Sequence, residues 1–87
     1  MVTIQDLEKL EFKNELNLFG GKMEWHIGEE ITEFAGLKLT TPTVIYDIET
    51  QRATSIRGEF CVISRVCETD EEIVKFLEAV KFLFNIQ

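Results

Sequence analysis

The residues that could carry acid–base or metal chemistry in this chain are its sixteen Asp and Glu residues and its single histidine, His26. A catalytic carboxyl group needs enough burial to shift its pKa, and a general base needs a reacting proton within hydrogen-bond reach. The acidic residues instead alternate with apolar residues or precede the last helix, which places them in water. His26 falls on the polar side of a predicted strand, beside Glu15 or Glu24. The sequence therefore predicts no catalytic residue, no metal site and no cofactor.

The two cysteines, Cys61 and Cys67, lie on one predicted strand. Six residues of extended chain span about 20 Å, whereas a disulfide requires Cα atoms within about 7 Å. Two thiols without neighbouring His or further Cys form no zinc site. The acids at 68–72 lack the spacing of a calcium loop, and helix capping accounts for them. Reduced thiols, with no secretory signal and no apolar run of about 20 residues, predict a cytoplasmic location.

Three apolar residues depart from the pattern of their elements and are candidate partner contacts. Phe82 lies opposite the apolar stripe of the last helix, unless the helix frays there and the ring folds back. Phe19 lies beside the first turn on the polar face, where it can also simply lean over the hairpin. Ile63, with Cys61, is expected on the sheet face remote from the helix. Aromatic residues are enriched at the centres of protein interfaces, which favours a protein partner.

An acidic face is the other candidate surface. Five acids and one base, Lys38, fall between residues 29 and 50. Asp47, Glu49 and Glu59 are expected on one outward face of the second hairpin. Such a face can dock on a basic groove or imitate the phosphates of a nucleic acid, although simple solvation also explains it.

The composition describes one small folded domain, predicted to span residues 1–87. A chain of this length buries about 60–65% of its unfolded surface, which is enough for one modest core. The content of 45% hydrophobic and 29% charged residues fits a globular protein. The formal charge of −7 repels phosphate backbones and anionic membranes, so we expect neither direct nucleic-acid binding nor membrane binding.

Two hairpins are expected to position these residues. In the first, Gly20-Gly21 forms a two-residue turn that pairs Phe19 with Lys22, Leu18 with Met23 and Leu16 with Trp25. In the second, a loop over Gln51-Arg52-Ala53 pairs Ile48 with Ile56, Tyr46 with Gly58 and Val44 with Phe60. The segments 31–34 and 37–40 read as short extended pieces, the second at a sheet edge. Residues 61–67 are apolar on both sides, which is typical of a strand that is central or covered on its second face.

Two helices complete the pattern. A short N-terminal helix is expected over residues 4–10, because Thr3 and Asp6 have the spacing of a capping box. Alternatively, residues 10–18 could extend the next strand backwards. The C-terminal helix follows Thr69 or Asp70, and its apolar stripe is predicted to comprise Ile73, Phe76, Leu77, Val80, Leu83 and Phe84. The predicted fold class is α+β, with an antiparallel sheet of four to five strands covered on one face by the C-terminal helix.

Three function classes follow from these features. The first is a non-catalytic protein-binding module, for example a small acidic regulatory or inhibitory protein, whose partner has a basic surface. The second is an acidic nucleic-acid mimic, like a phage-type inhibitor, that occupies the groove of a nucleic-acid-binding enzyme. The third is a small-ligand-binding protein, which needs a pocket of about 300 Å³ with converging polar groups. A strand edge or the Phe82 face could also form a homodimer contact.

Overall fold

The computed structural model describes residues 1–17, 21–28, 32–33, 38–39, 43–57 and 60–83. In chain order the elements are α1 (Ile4–Lys9), β1 (Lys13–Asn17), β2 (Lys22–Ile27), β3 (Thr32–Glu33), β4 (Lys38–Leu39), β5 (Thr43–Asp47), β6 (Arg52–Arg57), β7 (Phe60–Val66) and α2 (Asp70–Leu83).

Five strands form one antiparallel sheet in the spatial order β1-β2-β5-β6-β7. The two-residue strands β3 and β4 pair with each other instead of extending this sheet. Both helices contribute to a single buried cluster with one face of the sheet, composed of Val2, Leu7, Phe12, Val44, Tyr46, Ala53, Cys67, Ile73, Phe76 and Val80. We call this side the helix face and the other side the outer face. The α+β prediction is confirmed.

The N-terminal end of the helix α1 is stabilised by local side-chain hydrogen bonds. The Thr3 hydroxyl accepts a hydrogen bond from the Asp6 N–H at 3.2 Å, and the Asp6 carboxylate accepts one from the Thr3 N–H at 2.9 Å. This capping box uses Asp in place of the usual Glu or Gln. Residues 4–9 are helical, and Leu7 is fully buried in the core. The strand β1 begins only at Lys13, so residues 10–12 do not extend it backwards.

The first hairpin keeps its predicted faces but not its predicted register. Leu16 pairs with Met23 and Asn14 with Trp25, so the strands are shifted by two residues from the expected pairing. Lys22 pairs with Asn17 and not with Phe19, and Phe19 and Gly20 themselves lie outside the described residues. Because side chains alternate with a period of two, this shift leaves the apolar residues on the helix face.

In the second hairpin the observed register exchanges the two faces of the return strand relative to the prediction. Tyr46 pairs with Ala53 and not with Gly58, a shift of five residues, and Val44 pairs with Ser55. An odd shift turns the return strand over, so Ala53 and Ser55 face the helices. The turn lies earlier in the chain than predicted, because the ladder reaches Asp47 and Arg52 and residues 48–51 connect the strands. Within this turn Gln51 adopts the left-handed conformation with φ 55°. No glycine signals this position in the sequence.

The strand β7 differs most from its prediction, because it is the outer strand of the sheet and not a central one. Ile63 opposes Ser55 and is half-buried against the core, so its predicted place on the outer face is wrong. Cys61 opposes Ile56, the neighbour of Ser55, which leaves Val62 as the extra residue of a β-bulge.

The helix α2 begins with two side-chain caps, as the sequence predicts. The Thr69 hydroxyl accepts a hydrogen bond from the Glu72 N–H at 3.2 Å, and the Asp70 carboxylate accepts one from the Glu71 N–H at 3.0 Å. The predicted stripe is confirmed at its centre, where Ile73, Phe76 and Val80 are buried and Leu77 is half-buried. Leu83 is exposed, and Phe84 lies outside the described residues.

Candidate protein-binding surfaces

The outer edge of β7 has no neighbour among the described strands. The Cys67 N–H donates to the Gln51 carbonyl at 2.7 Å, which fixes this pair as hydrogen-bonded. Hydrogen bonding alternates along an antiparallel ladder, so Arg65 and Ile63 turn their backbone groups toward β6. The N–H and C=O groups of Ser64 and Val66 therefore point away from the sheet. Among the described strands, none lies beyond them.

The same edge exposes apolar side chains. Phe60 is 75% exposed, Val62 42% and Val66 39%. We call this edge, with the side chains of Phe60, Val62, Ser64, Arg65 and Val66, the β7 surface. A strand that is apolar on both sides is normally covered on both sides. Here the described residues cover only one of them.

The charged residues among the described positions of β6 and β7 are all positive, although the whole chain is acidic. All three arginines of the chain, Arg52, Arg57 and Arg65, lie on β6 and β7. The described residues of these two strands contain no acid. The Arg52 guanidinium donates to the Ser64 hydroxyl at 3.2 Å, which brings its charge across the outer face to the edge strand. Arg65 is exposed on β7 itself.

The opposite edge of the sheet carries more charge, although Leu16 on it is 52% exposed. Lys13, Asn14 and Glu15 are exposed along β1, and their charged and polar groups interrupt the apolar surface. Charges on an edge strand are a common device against unwanted strand pairing. The β7 edge carries one charged residue, Arg65, in seven. The two edges are therefore chemically different.

Phe82 is the predicted contact that the structure displays most openly, with 83% of the residue exposed. It lies on α2, where Leu83 is exposed as well and Val74 is 37% exposed. The two other apolar candidates are not observed as exposed contacts. Ile63 is half-buried against the core, and Phe19 lies outside the described residues.

The predicted acidic face is only partly assembled. Asp47 and Glu49 lie together, because the Asp47 carboxylate accepts a hydrogen bond from the Glu49 N–H at 3.0 Å. They line a hollow of about 120 Å³ that Glu24 also borders. Arg52 is the cross-strand partner of Asp47 and reduces the negative charge there. Glu59 lies outside the described residues.

His26 lies beside Glu15, as the alternation predicts, with 3.8 Å between its Nδ1 atom and the Glu15 carboxylate. Its side chain is more buried than a solvent-facing strand residue would be, with 20% exposed. The Nε2 atom is buried and has no hydrogen-bond partner among the described residues. His26 lines a surface hollow of about 220 Å³ with Glu11, Lys13 and Glu15.

Burial in the core changes the pKa of two side chains, Tyr46 and Cys67. The Tyr46 hydroxyl donates to the Cys67 carbonyl at 2.6 Å, and both residues are buried. Burial raises the pKa of Tyr46 to about 12, and the nearby Cys67 thiol adds to the effect. Burial also raises the pKa of Cys67, with a smaller contribution from Glu72. This pair ties β5 to the segment that leads into α2.

The remaining hollows lie on the surface. One of about 320 Å³ is lined by α2 alone through Asp70, Glu71, Val74, Lys75 and Glu78. Another, about 240 Å³, lies on the outer face near Asp47 and Arg52. Within the described part of the chain, no three His, Cys, Asp or Glu residues are grouped so that they could hold a metal ion. None of the described helices combines the length and apolar character that crossing a membrane requires.

The sequence pattern missed the β7 surface because it assigned Phe60 and Val62 to the buried face. One signal was available, since all the arginines of the chain fall within residues 52–65. No family model, no curated protein and no solved structure matches this chain.

Proposed function

We propose that this chain is a non-catalytic protein-binding module that contacts its partner through the β7 surface. The observation that carries the proposal is the exposure of Phe60, Val62 and Val66 along an outer strand beyond which no described strand lies. Burying an exposed Phe or Val side chain is worth about 1.5–3 kcal/mol. Burial of these three side chains against a partner is therefore favourable.

The contrast between the two edges supports a binding role for one of them. A sheet that has charged residues along β1 is protected against strand pairing on that side. The β7 edge has no comparable row of charges, so it is open to an added strand. This difference is expected if one edge remains available for a partner.

The Phe82 region is the other place where a partner could bind. Phe82 and Val74 on α2 match Phe60 and Val66 on β7 in residue type and in exposure. Unlike the β7 residues, they lie on a helix whose backbone hydrogen bonds are internal. They offer apolar contact without pairing groups, so we assign the main contact to β7.

Matched double variants distinguish the two surfaces. One combines Phe60→Ser with Val66→Ser, and the other combines Phe82→Ser with Val74→Ser. Each variant and the unaltered chain is used to capture partners from the native host, and captured proteins are identified by mass spectrometry. We expect the β7 variant to bind the captured partner at least about tenfold more weakly, because it loses more than about 1.4 kcal/mol of apolar contact. The α2 variant is expected to bind within about threefold of the unaltered chain.

Circular dichroism and thermal unfolding of both variants establish that they remain folded. Loss of the partner in the α2 variant alone would transfer the contact to Phe82 and overturn the assignment to β7. Retention of the partner in both variants would overturn the proposal that exposed apolar residues of this chain form the contact.

A further inference from the structure

The β7 surface can accept a strand only through the backbone groups that point outward. These belong to Ser64 and Val66, since Arg65 and Ile63 pair with β6. The bulge at Val62 disturbs the edge on the Phe60 side, so the regular part of the edge runs from Ile63 to Val66. An added strand would therefore align against these four residues.

The side chains of the edge determine what the added strand must contain. Arg65 pairs with Ala53 and so lies on the helix side of the sheet, whereas Ser64 and Val66 lie on the outer face. The Arg52 guanidinium reaches Ser64 on that outer face at 3.2 Å. Two adjacent edge positions, 64 and 65, thus each have a guanidinium, one on either side of the sheet, and Arg65 carries the larger part of the charge because Arg52 also lies opposite Asp47.

Cross-strand neighbours interact at about 4.5–5.5 Å between Cβ atoms, and opposite charges there are favourable. The residues opposite Ser64 and Arg65 are then best acidic, and those opposite Ile63 and Val66 are best apolar. This order, apolar-acidic-acidic-apolar, is the same in both directions, so it serves a parallel or an antiparallel added strand.

We propose that β7 binds an extended acidic segment of a partner protein as a sixth strand, with two adjacent carboxylates opposite Ser64 and Arg65 and apolar residues on both sides of them. This inference rests on the proposed function and specifies its partner. The local charge selects against a second copy of the chain, because pairing of two β7 edges would bring two sets of arginines together.

The test uses two peptides with blocked ends, Thr-Val-Glu-Glu-Val-Thr and Thr-Val-Lys-Lys-Val-Thr, titrated into the full chain. Nuclear magnetic resonance follows the amide shifts and the hydrogen exchange of each residue. We expect the Glu peptide to bind and to slow the exchange of the Ser64 and Val66 amides. The Lys peptide is expected to leave both amides unchanged.

Arg65→Glu and Lys75→Glu are matched charge reversals, the second on the exposed side of α2. Arg65→Glu is expected to weaken binding of the Glu peptide about fivefold or more, since it replaces a cross-strand attraction by a repulsion. It should also improve binding of the Lys peptide. Lys75→Glu is expected to change neither. Equal effects of the two variants would overturn the placement of the acidic segment at Arg65.

A backbone variant gives an independent measurement. Val66→Pro removes an N–H that points outward and leaves the bonds to β6 in place, so it should abolish peptide binding. If this variant unfolds, the Arg65→Glu comparison still decides the question.

Three other outcomes separate this inference from the proposed function. Binding of neither peptide, with Ser64 and Val66 protected only as protein concentration rises, would make a second copy the occupant and overturn the acidic segment. Equal binding of both peptides would retain strand addition and overturn its charge selectivity. Slow exchange of both amides in the free, dilute chain would show a covered edge and overturn both proposals.

Discussion

The Tyr46 hydroxyl is a buried polar group that donates a hydrogen bond to the backbone carbonyl of Cys67, 2.6 Å away. A buried hydroxyl without a partner costs free energy, and so does a buried carbonyl. One hydrogen bond therefore satisfies two groups. It also holds β5 against the chain just before α2, which fixes where the helix starts across the sheet.

We expect Tyr46→Phe to lower the free energy of unfolding by about 1–3 kcal/mol at neutral pH, because the Cys67 carbonyl loses its donor. The cost should decrease in alkali. Burial raises the pKa of Tyr46 to about 12 from its usual 10, so the neutral form is favoured in the folded state. The stability from this shift is complete below pH 10 and is lost as the pH rises toward 12.

The measurement is urea unfolding of both proteins from about pH 8 to about pH 11, where the difference between them should shrink by about 1 kcal/mol. The raised pKa of Cys67 affects both proteins alike and cancels in the difference. Tyr46 is the single tyrosine, so tyrosinate absorbance reports its titration directly. A tyrosinate midpoint near the usual value would contradict the burial of this hydroxyl.

At the scale of the elements, one turn decides which side chains face the helices. Gln51 in the left-handed conformation closes the connection between β5 and β6, and the resulting register places Ala53 and Ser55 in the core. Had the turn been longer by an odd number of residues, Ile56 would occupy the helix face instead. This register also determines which β7 side chains face the helices, since β7 pairs with β6.

Gln51→Gly is expected to leave the free energy of unfolding unchanged or to raise it by about 0.5 kcal/mol, because glycine adopts a positive φ without strain. Gln51→Val should lower it by about 1 kcal/mol or more, since a β-branched residue is disfavoured there. Gln5→Gly is the matched control. It lies in α1, where glycine should cost about 0.5–1 kcal/mol. Urea denaturation compares all three, and a cost for Gln51→Gly as large as that for Gln5→Gly would contradict the left-handed turn.

These elements also show what the sequence could predict and what it could not. The strands, both helices and the stripe centred on Phe76 follow from periodicity and capping residues. The register does not, because small residues such as Ala53 and Ser55 give no hydrophobic signal when they are buried. The turn at Gln51 could not be predicted either, since a left-handed position without glycine has no sequence signature. Of the candidate contacts, Phe82 is exposed as predicted. The β7 surface was not predicted, because the exposure of Phe60 and Val62 depends on the register.

At the scale of the whole molecule, charge is distributed unevenly. The chain has a formal charge of −7, but its three arginines lie together on β6 and β7. A protein of this net charge is expected to attract basic partners at long range. At contact distance, however, the β7 surface is apolar and positive. The net charge and the candidate binding surface therefore favour partners of opposite character.

Salt dependence of the captured complex separates these two modes of binding. A chain that imitates nucleic-acid phosphates through many ion contacts should lose about 10³–10⁵ in affinity between about 50 and 200 mM salt. Binding through β7 uses apolar burial, backbone hydrogen bonds and about two charge pairs. Because salt screens only the charge pairs, we expect the affinity to fall less than about tenfold over the same range.

Isothermal titration calorimetry with the captured partner at several salt concentrations measures this slope, and double-stranded DNA serves as the competitor. We expect no displacement by DNA, since the β7 surface does not resemble a phosphate backbone. A steep slope together with displacement by DNA would assign the contact to the acidic residues near Asp47 and Glu49. That result would favour a nucleic-acid mimic over strand addition at β7.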